Sequence, residues 1–147
     1  MRSKPSHNLI KRLFYNSRFS DYYWKEFKHP STLEISDLVD KLLEPVSNNE
    51  YLYRTKLGLH EAIINAVIHG NSCDPTKIVR VRRILTPNWL VWQVQDQGNG
   101  YEYPDDYVDL PDNIESDNGR GLFLINQCFD DVRWSNKGNR LQLANRN

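Results

Sequence analysis

The chain has 147 residues, 39% hydrophobic and 26% charged, which is enough for one domain with a continuous core. Nineteen basic and nineteen acidic residues cancel, so no global electrostatic argument favours nucleic acid or a membrane surface as a partner. Two cysteines, Cys73 and Cys128, cannot make a disulfide framework, and no run approaches the roughly 20 apolar residues of a membrane span; a cytoplasmic protein is expected.

Charge is nevertheless uneven. Met1 to Pro30 is basic and aromatic, whereas Tyr101 to Asn118 carries Glu102, Asp105, Asp106, Asp109, Asp112, Glu115 and Asp117 with no Lys or Arg. Residues 1–20 read as a polar basic extension ahead of a single domain over 21–147. The stretch "YYWKEFKHPS" has the aromatic content and alternation of a strand, stopped by Pro30. Ser31 or Thr32 is placed to cap a helix over Leu33 to Val46, with Leu33, Leu38, Leu42 and Leu43 on its apolar face. After the loop "SNN", a longer helix is expected from about Tyr51 to His69, ended by Gly70-Asn71.

"KIVRVRRIL" and "NWLVWQVQD" alternate and are rich in β-branched and aromatic residues, so they predict a pair of antiparallel strands. Beyond the acidic segment, "GLFLINQCF" predicts a short helix entered through "NGRG". "DVRWSN" and "RLQLAN" predict a last hairpin about "KGN". The order β-α-α-β-β-loop-α-β-β predicts an α+β fold, with helices against one face of a mostly antiparallel sheet.

Three polar intrusions interrupt these apolar elements. In "LHEAIINAVIHGN", Glu61, Asn65 and His69 recur at every fourth position, within an arc of about 80° on one helix face. A solvated face explains such a stripe, and so does a site: a carboxylate accepts a proton or orients water, and an amide oxygen suits Mg²⁺. Asp96 continues the inward set Leu90, Trp92 and Val94 of its strand, and Gln97-Gly98-Asn99-Gly100 follows it. An inward carboxylate needs donors. A capped turn would supply them, as would the exocyclic amine of a purine for which the glycines make room. Third, "NGRGLFLI" leads glycines into a helix, either as a flexible turn or as backbone N–H groups aimed at an anion; it lacks the Lys-Ser/Thr of a P-loop. In this order the three describe a base with a metal ligand, a purine partner and a phosphate cradle, which together make an ATP site.

The sequence resembles the GHKL (Bergerat-fold) ATPase and kinase superfamily: "HEAIINAVIHGN" is similar to its N box, "DQGNG" to its G1 box and "NGRGL" to its G2 box. Among its branches the resemblance points to the bacterial anti-sigma-factor serine/threonine kinases. It implies a two-layer sandwich whose sheet is covered on one face by about three helices. It also implies that Glu61 is the general base toward a protein hydroxyl, and that Asn65 ligates a Mg²⁺ bridging the phosphates of ATP. Asp96 would accept from the adenine amino group, with Gly98 and Gly100 lining the base. Gly119, Gly121 and Leu122 at the helix start would hold the phosphates, with Arg120 as the nearby cation. The implied partners are a sigma factor and an anti-sigma-factor antagonist, often with a second copy of the kinase in a homodimer and with neither nucleic acid nor membrane bound directly. The alternative is a non-catalytic ATP-binding module that sequesters a sigma factor or another protein. His69 is read as a packing or lid-contact residue, since Glu61 already fills the role of base. The last hairpin carries Gly138-Asn139 where Gly-Thr is commoner in the family, and the acidic segment falls where the family has its ATP lid.

Overall fold

The computed structural model describes residues 23–47, 49–100 and 117–147, giving only the backbone for 117–119. Both the proposed N-terminal extension and the acidic segment 101–116 lie outside the described residues. Five strands form one antiparallel sheet in the order β1-β2-β3-β5-β4. They are β1 (Tyr23–Pro30), β2 (Ile78–Leu85), β3 (Trp89–Gln95), β4 (Asp131–Trp134) and β5 (Arg140–Arg146). Three helices cover one face: α1 (Ser36–Leu43), α2 (Asn49–Asn65), continued by a wider turn over Ala66–Gly70, and α3 (Asp117–Cys128). The α+β sandwich expected from the element order is therefore present.

Alternation along the strands decides which face is covered. Val79 and Val81 of β2, Leu90, Trp92 and Val94 of β3, and Leu141 and Leu143 of β5 point into the main core. They meet Leu38, Val39 and Leu42 of α1, Leu59, Ala62 and Ile63 of α2, and Ile125 of α3. Trp92 is fully buried, with the Phe129 ring edge-on at 5.9 Å. Gly58 lets α2 and the end of α3 close on each other, because a Cβ there would overlap Phe129 and Cys128. Opposite the helices, Ile84, Trp89, Val91 and Ala144 form a second, smaller apolar cluster. Beside it, Arg82 reaches Glu26 at 2.8 Å across the β1–β2 pair.

α1 departs from its sequence reading. It is three residues shorter at each end than Leu33 to Val46, and neither Ser31 nor Thr32 caps it. Ser31 is buried and committed elsewhere: its N–H donates to the Lys77 carbonyl at 3.0 Å and its hydroxyl accepts from Asn71 Nδ2 at 2.5 Å. Leu33, expected on the apolar face, is exposed, and Ile35 is buried in its place. At the other end the sheet supplies the missing donors. Arg83 Nη1 donates to the Lys41 carbonyl at 2.5 Å and Trp92 Nε1 to that of Leu42 at 3.2 Å.

Arg83 is thus a core residue of β2, 4% exposed, with its guanidinium 5.4 Å from the Phe27 ring centre. Its Nε meets no acceptor among the described residues, so part of its charge is desolvated without return. The charge-assisted bond to the helix end and the packed stem outweigh that cost. Arg83→Ala is expected to destabilise the fold by about 2 kcal/mol, seen as a lower urea midpoint at unchanged slope.

Candidate functional site

The long helix does not run as a single α-helix to Gly70. From Ala66 onward it widens, and the Asn71 N–H reaches back five residues to the Ala66 carbonyl at 2.9 Å, a π turn. Nor does the helix end on a left-handed glycine. The left-handed residues are Ser72 (φ 56°) and Cys73 (φ 55°), and the Cys73 N–H closes onto the Val67 carbonyl at 2.8 Å. Gly70 is required for another reason. The carboxyl group of Asp96 occupies the place where a Gly70 Cβ would stand, and the Gly70 carbonyl in turn occupies the place of a Gly98 Cβ. Two glycines, 28 positions apart in sequence, lock around one aspartate.

Asp96 follows β3 directly, where strand alternation put it. Its backbone N–H donates to the Asn139 carbonyl at 3.0 Å, and its Oδ1 accepts the Gly98 N–H at 2.8 Å. The capped-turn reading and the inward carboxylate are therefore both present: one oxygen holds the turn and leaves the rest of the carboxylate to the cavity. Burial raises the Asp96 pKa above its usual value, and the Gly98 N–H and the positive charges of Lys137 and Lys77 offset that only in part. Gly100 has φ +86° and lies against the Lys137 carbonyl, so the turn after β3 packs directly on the β4–β5 turn.

The cavity in front of Asp96 has a volume of about 260 Å³. Ala62, Asn65, Ala66 and His69 form its helical wall, and Gly98 and Gly100 line the side of the β3 turn. Val94, Trp134 and Leu141 supply an apolar floor, while Gly138 and Asn139 close the far side. A flat heterocycle fits such a setting: apolar floor, one polar anchor and glycines at the edge. His69, read as a packing or lid-contact residue, lines this cavity and is exposed.

Glu61 sits one turn before Asn65, and the two approach α3 together. A Cβ on Gly121 would lie 3.3 Å from Asn65 Nδ2 and 3.4 Å from Glu61 Oε2. The "NGRG" glycines do not precede α3 but stand inside its first turns, since the helix begins at Asp117. Gly119 is among the four N-terminal residues whose N–H groups have no intrahelical acceptor. Arg120 is exposed on the same turn, and Leu122 is half-buried next to Gly121.

The stripe Glu61–Asn65, the anchor Asp96 and the glycines of α3 are thus brought to one end of the helical layer. Among the described residues no group of three or more His, Cys, Asp or Glu is placed to hold a metal unaided. One or two oxygen donors beside a phosphate-bearing ligand is the usual Mg²⁺ arrangement, and Asn65 with Glu61 fits it.

Sequence reasoning missed Lys77, Ser72 and Trp134 of the cavity wall and the buried amide Asn71 behind it. Lys77 and Ser72 follow the helix in a loop without a motif of its own. Trp134 had an available signal, since it alternates with Val132 on the inward side of β4.

The model of the histidine kinase-like ATPase domain family matches residues 39–144. The chain is 28% identical to the anti-sigma F factor of Clostridium perfringens (strain SM101 / Type A) over 100 residues, 63% of this chain and 70% of that protein. Against the anti-sigma F factor of Clostridium perfringens strain ATCC 13124 identity is 36% over 53 residues, 36% of this chain and 38% of that protein. No described helix is long and apolar enough to cross a membrane.

Proposed function

Because the chain belongs to the histidine kinase-like ATPase domain family, we propose that it is an ATP-dependent serine/threonine protein kinase acting as an anti-sigma factor. In this reading it binds a sigma factor in the cytoplasm and phosphorylates an anti-sigma-factor antagonist, working as a homodimer. The similarity to anti-sigma F factors supports the regulatory half. The observation that carries the enzymatic half is the convergence of Glu61 and Asn65 on Gly121 of α3, beside the cavity that ends on Asp96.

Each residue has a role that follows from its chemistry. Asp96 accepts from the amino group of adenine, and Gly98 and Gly100 line the cavity that takes the ring. Asn65 would hold Mg²⁺ through its amide oxygen, and the metal, when bound, neutralises phosphate charge. Gly119, Gly121, Leu122 and Arg120 border the phosphates at the start of α3. Glu61 takes the proton from the attacking serine or threonine hydroxyl as its oxygen approaches the γ-phosphorus and the bond to the β-phosphate oxygen breaks. Little more is asked of the protein, because positioning and charge account for most of phosphoryl transfer.

Glu61→Ala should abolish transfer of labelled γ-phosphate to the antagonist, a loss of about 10²-fold or more, with ATP affinity by calorimetry within about threefold of wild type. If Glu61→Ala phosphorylates as wild type does, Glu61 is not the base. If wild type binds ATP but transfers nothing, the chain is a binding module that sequesters its partner.

A further inference from the structure

We infer that Asn71 is a positioning residue for Asp96, fixing the peptide that aims its carboxylate into the cavity. The inference rests on the reading of Asp96 as the anchor for the base.

Asn71 is completely buried, although its side chain is polar and it directly follows Gly70. All of its polar groups are bonded. Its N–H donates to the Ala66 carbonyl, and its carbonyl accepts from the Asp74 N–H at 3.1 Å. Its Oδ1 accepts the Gln97 N–H at 2.7 Å. Its Nδ2 donates to Ser31 Oγ and to the Ile78 carbonyl at 3.2 Å. An N–H on one side and a carbonyl on the other leave a single orientation for the amide. Gln97 returns the contact, its Oε1 accepting the Ile78 N–H at 2.7 Å.

Asn71, Gln97 and Ile78 therefore form a closed ring of hydrogen bonds that joins the π turn, the turn after β3 and the start of β2. Ser31 ties the end of β1 to the same point. The nitrogen held by Asn71 Oδ1 belongs to the Asp96–Gln97 peptide bond. Rotating that peptide would take the Gly98 N–H away from Oδ1 and so release the carboxylate from its place against Gly70. The buried, fully bonded amide of Asn71 makes the ring rigid at its centre, and that rigidity is what a preorganised ligand group needs.

Three variants separate positioning from plain stability. Asn71→Ser removes the acceptor for Gln97. Asn71→Asp keeps an oxygen there but loses the donor toward Ser31 and Ile78. Ser31→Ala leaves the Gln97 bond intact. The readouts are hydrogen exchange of the Gln97 and Gly98 amides in the ligand-free protein and ADP affinity by calorimetry, with melting curves as the record of stability. Asn71→Ser should lose Gln97 protection and weaken ADP about tenfold. Asn71→Asp and Ser31→Ala should melt lower yet keep both the protection and the affinity.

Wild-type ADP affinity in a folded Asn71→Ser protein would overturn the inference. So would ADP loss in Asn71→Asp or Ser31→Ala while Gln97 stays protected. Those two variants decide the matter if Asn71→Ser does not fold. Failure of wild type to bind ADP would instead remove the functional reading, and the exchange data alone would then decide whether Asn71 fixes the Asp96 turn.

Discussion

Gly70→Ala is expected to weaken nucleotide binding by at least about tenfold while changing the stability of the fold only modestly. Two effects oppose each other. Alanine favours the helix by about 1 kcal/mol over glycine, but its Cβ would overlap the Asp96 carboxyl group, and such crowding costs about 1–3 kcal/mol. A swing of the Asp96 side chain relieves the overlap with its Cγ and Oδ2, and a small shift of the turn accommodates its Cβ, 2.6 Å from the new methyl group. That swing keeps the fold and discards the anchor. Titration calorimetry with ADP, beside urea unfolding of the same protein, measures both halves. A cycle with Asp96→Gly isolates the overlap, since the Asp96 Cβ itself would lie 2.6 Å from the new methyl group: Gly70→Ala should cost least once the whole side chain is gone. If Gly70→Ala binds ADP normally, the packing of Gly70 on Asp96 has no bearing on the site.

Asp96→Asn should lose about 10- to 100-fold in nucleotide affinity, the scale of a hydrogen bond to a charged acceptor, and yet unfold at a higher temperature at neutral pH. The second expectation follows from the sign of the pKa shift. Burial raises the folded-state pKa above the unfolded value, so the folded protein holds this proton more tightly. The group's stabilising contribution is complete below the unfolded value near 3.8 and is lost as pH rises through the folded one. At neutral pH the wild type carries a desolvated carboxylate that asparagine would relieve, while an amide oxygen can still accept the Gly98 N–H. The stability gain should therefore shrink on acidification toward about pH 4. Wild-type affinity should fall over that acid range while Asp96→Asn stays flat. Equal melting temperatures across the whole pH range would show that Asp96 is not strained in the folded state.

Much of the scaffold could be read from residue patterns, and the parts that could not share one physical cause. The β2–β3 hairpin and the inward aim of Asp96 follow from period-two alternation, which is local to "WLVWQVQD". The stripe of Glu61 and Asn65 is likewise local to one helix. The cap of α1 failed because Ser31 is taken by Asn71, 40 residues away, and no propensity rule sees that partner. Gly70 looked like a helix stop, since a glycine before a polar residue usually is one. Its real constraint comes from Asp96, on a separate strand. His69 was given no chemical role because Glu61 already filled that of the base, although the stripe placed it on the same face, and it lines the cavity beside Asn65. Gly121 was legible as part of a motif, but its contact with Glu61 and Asn65 is a matter of how two helices meet.

The wide turn over Ala66–Gly70 also bears on how chains of this kind can be compared with one another. A π turn holds one residue more than the α-helical turn it replaces. A relative shorter by one residue between Asn65 and Gly70 could keep its carboxylate, amide and glycine and still score as the same motif. With an ordinary α turn its glycine would come to about the place that receives Asp96 here, whereas a relative of equal length without the π turn would carry its glycine about 100° further round the helix axis. Interval length and turn type taken together are therefore a sharper criterion for this site than the identity of any one letter within it.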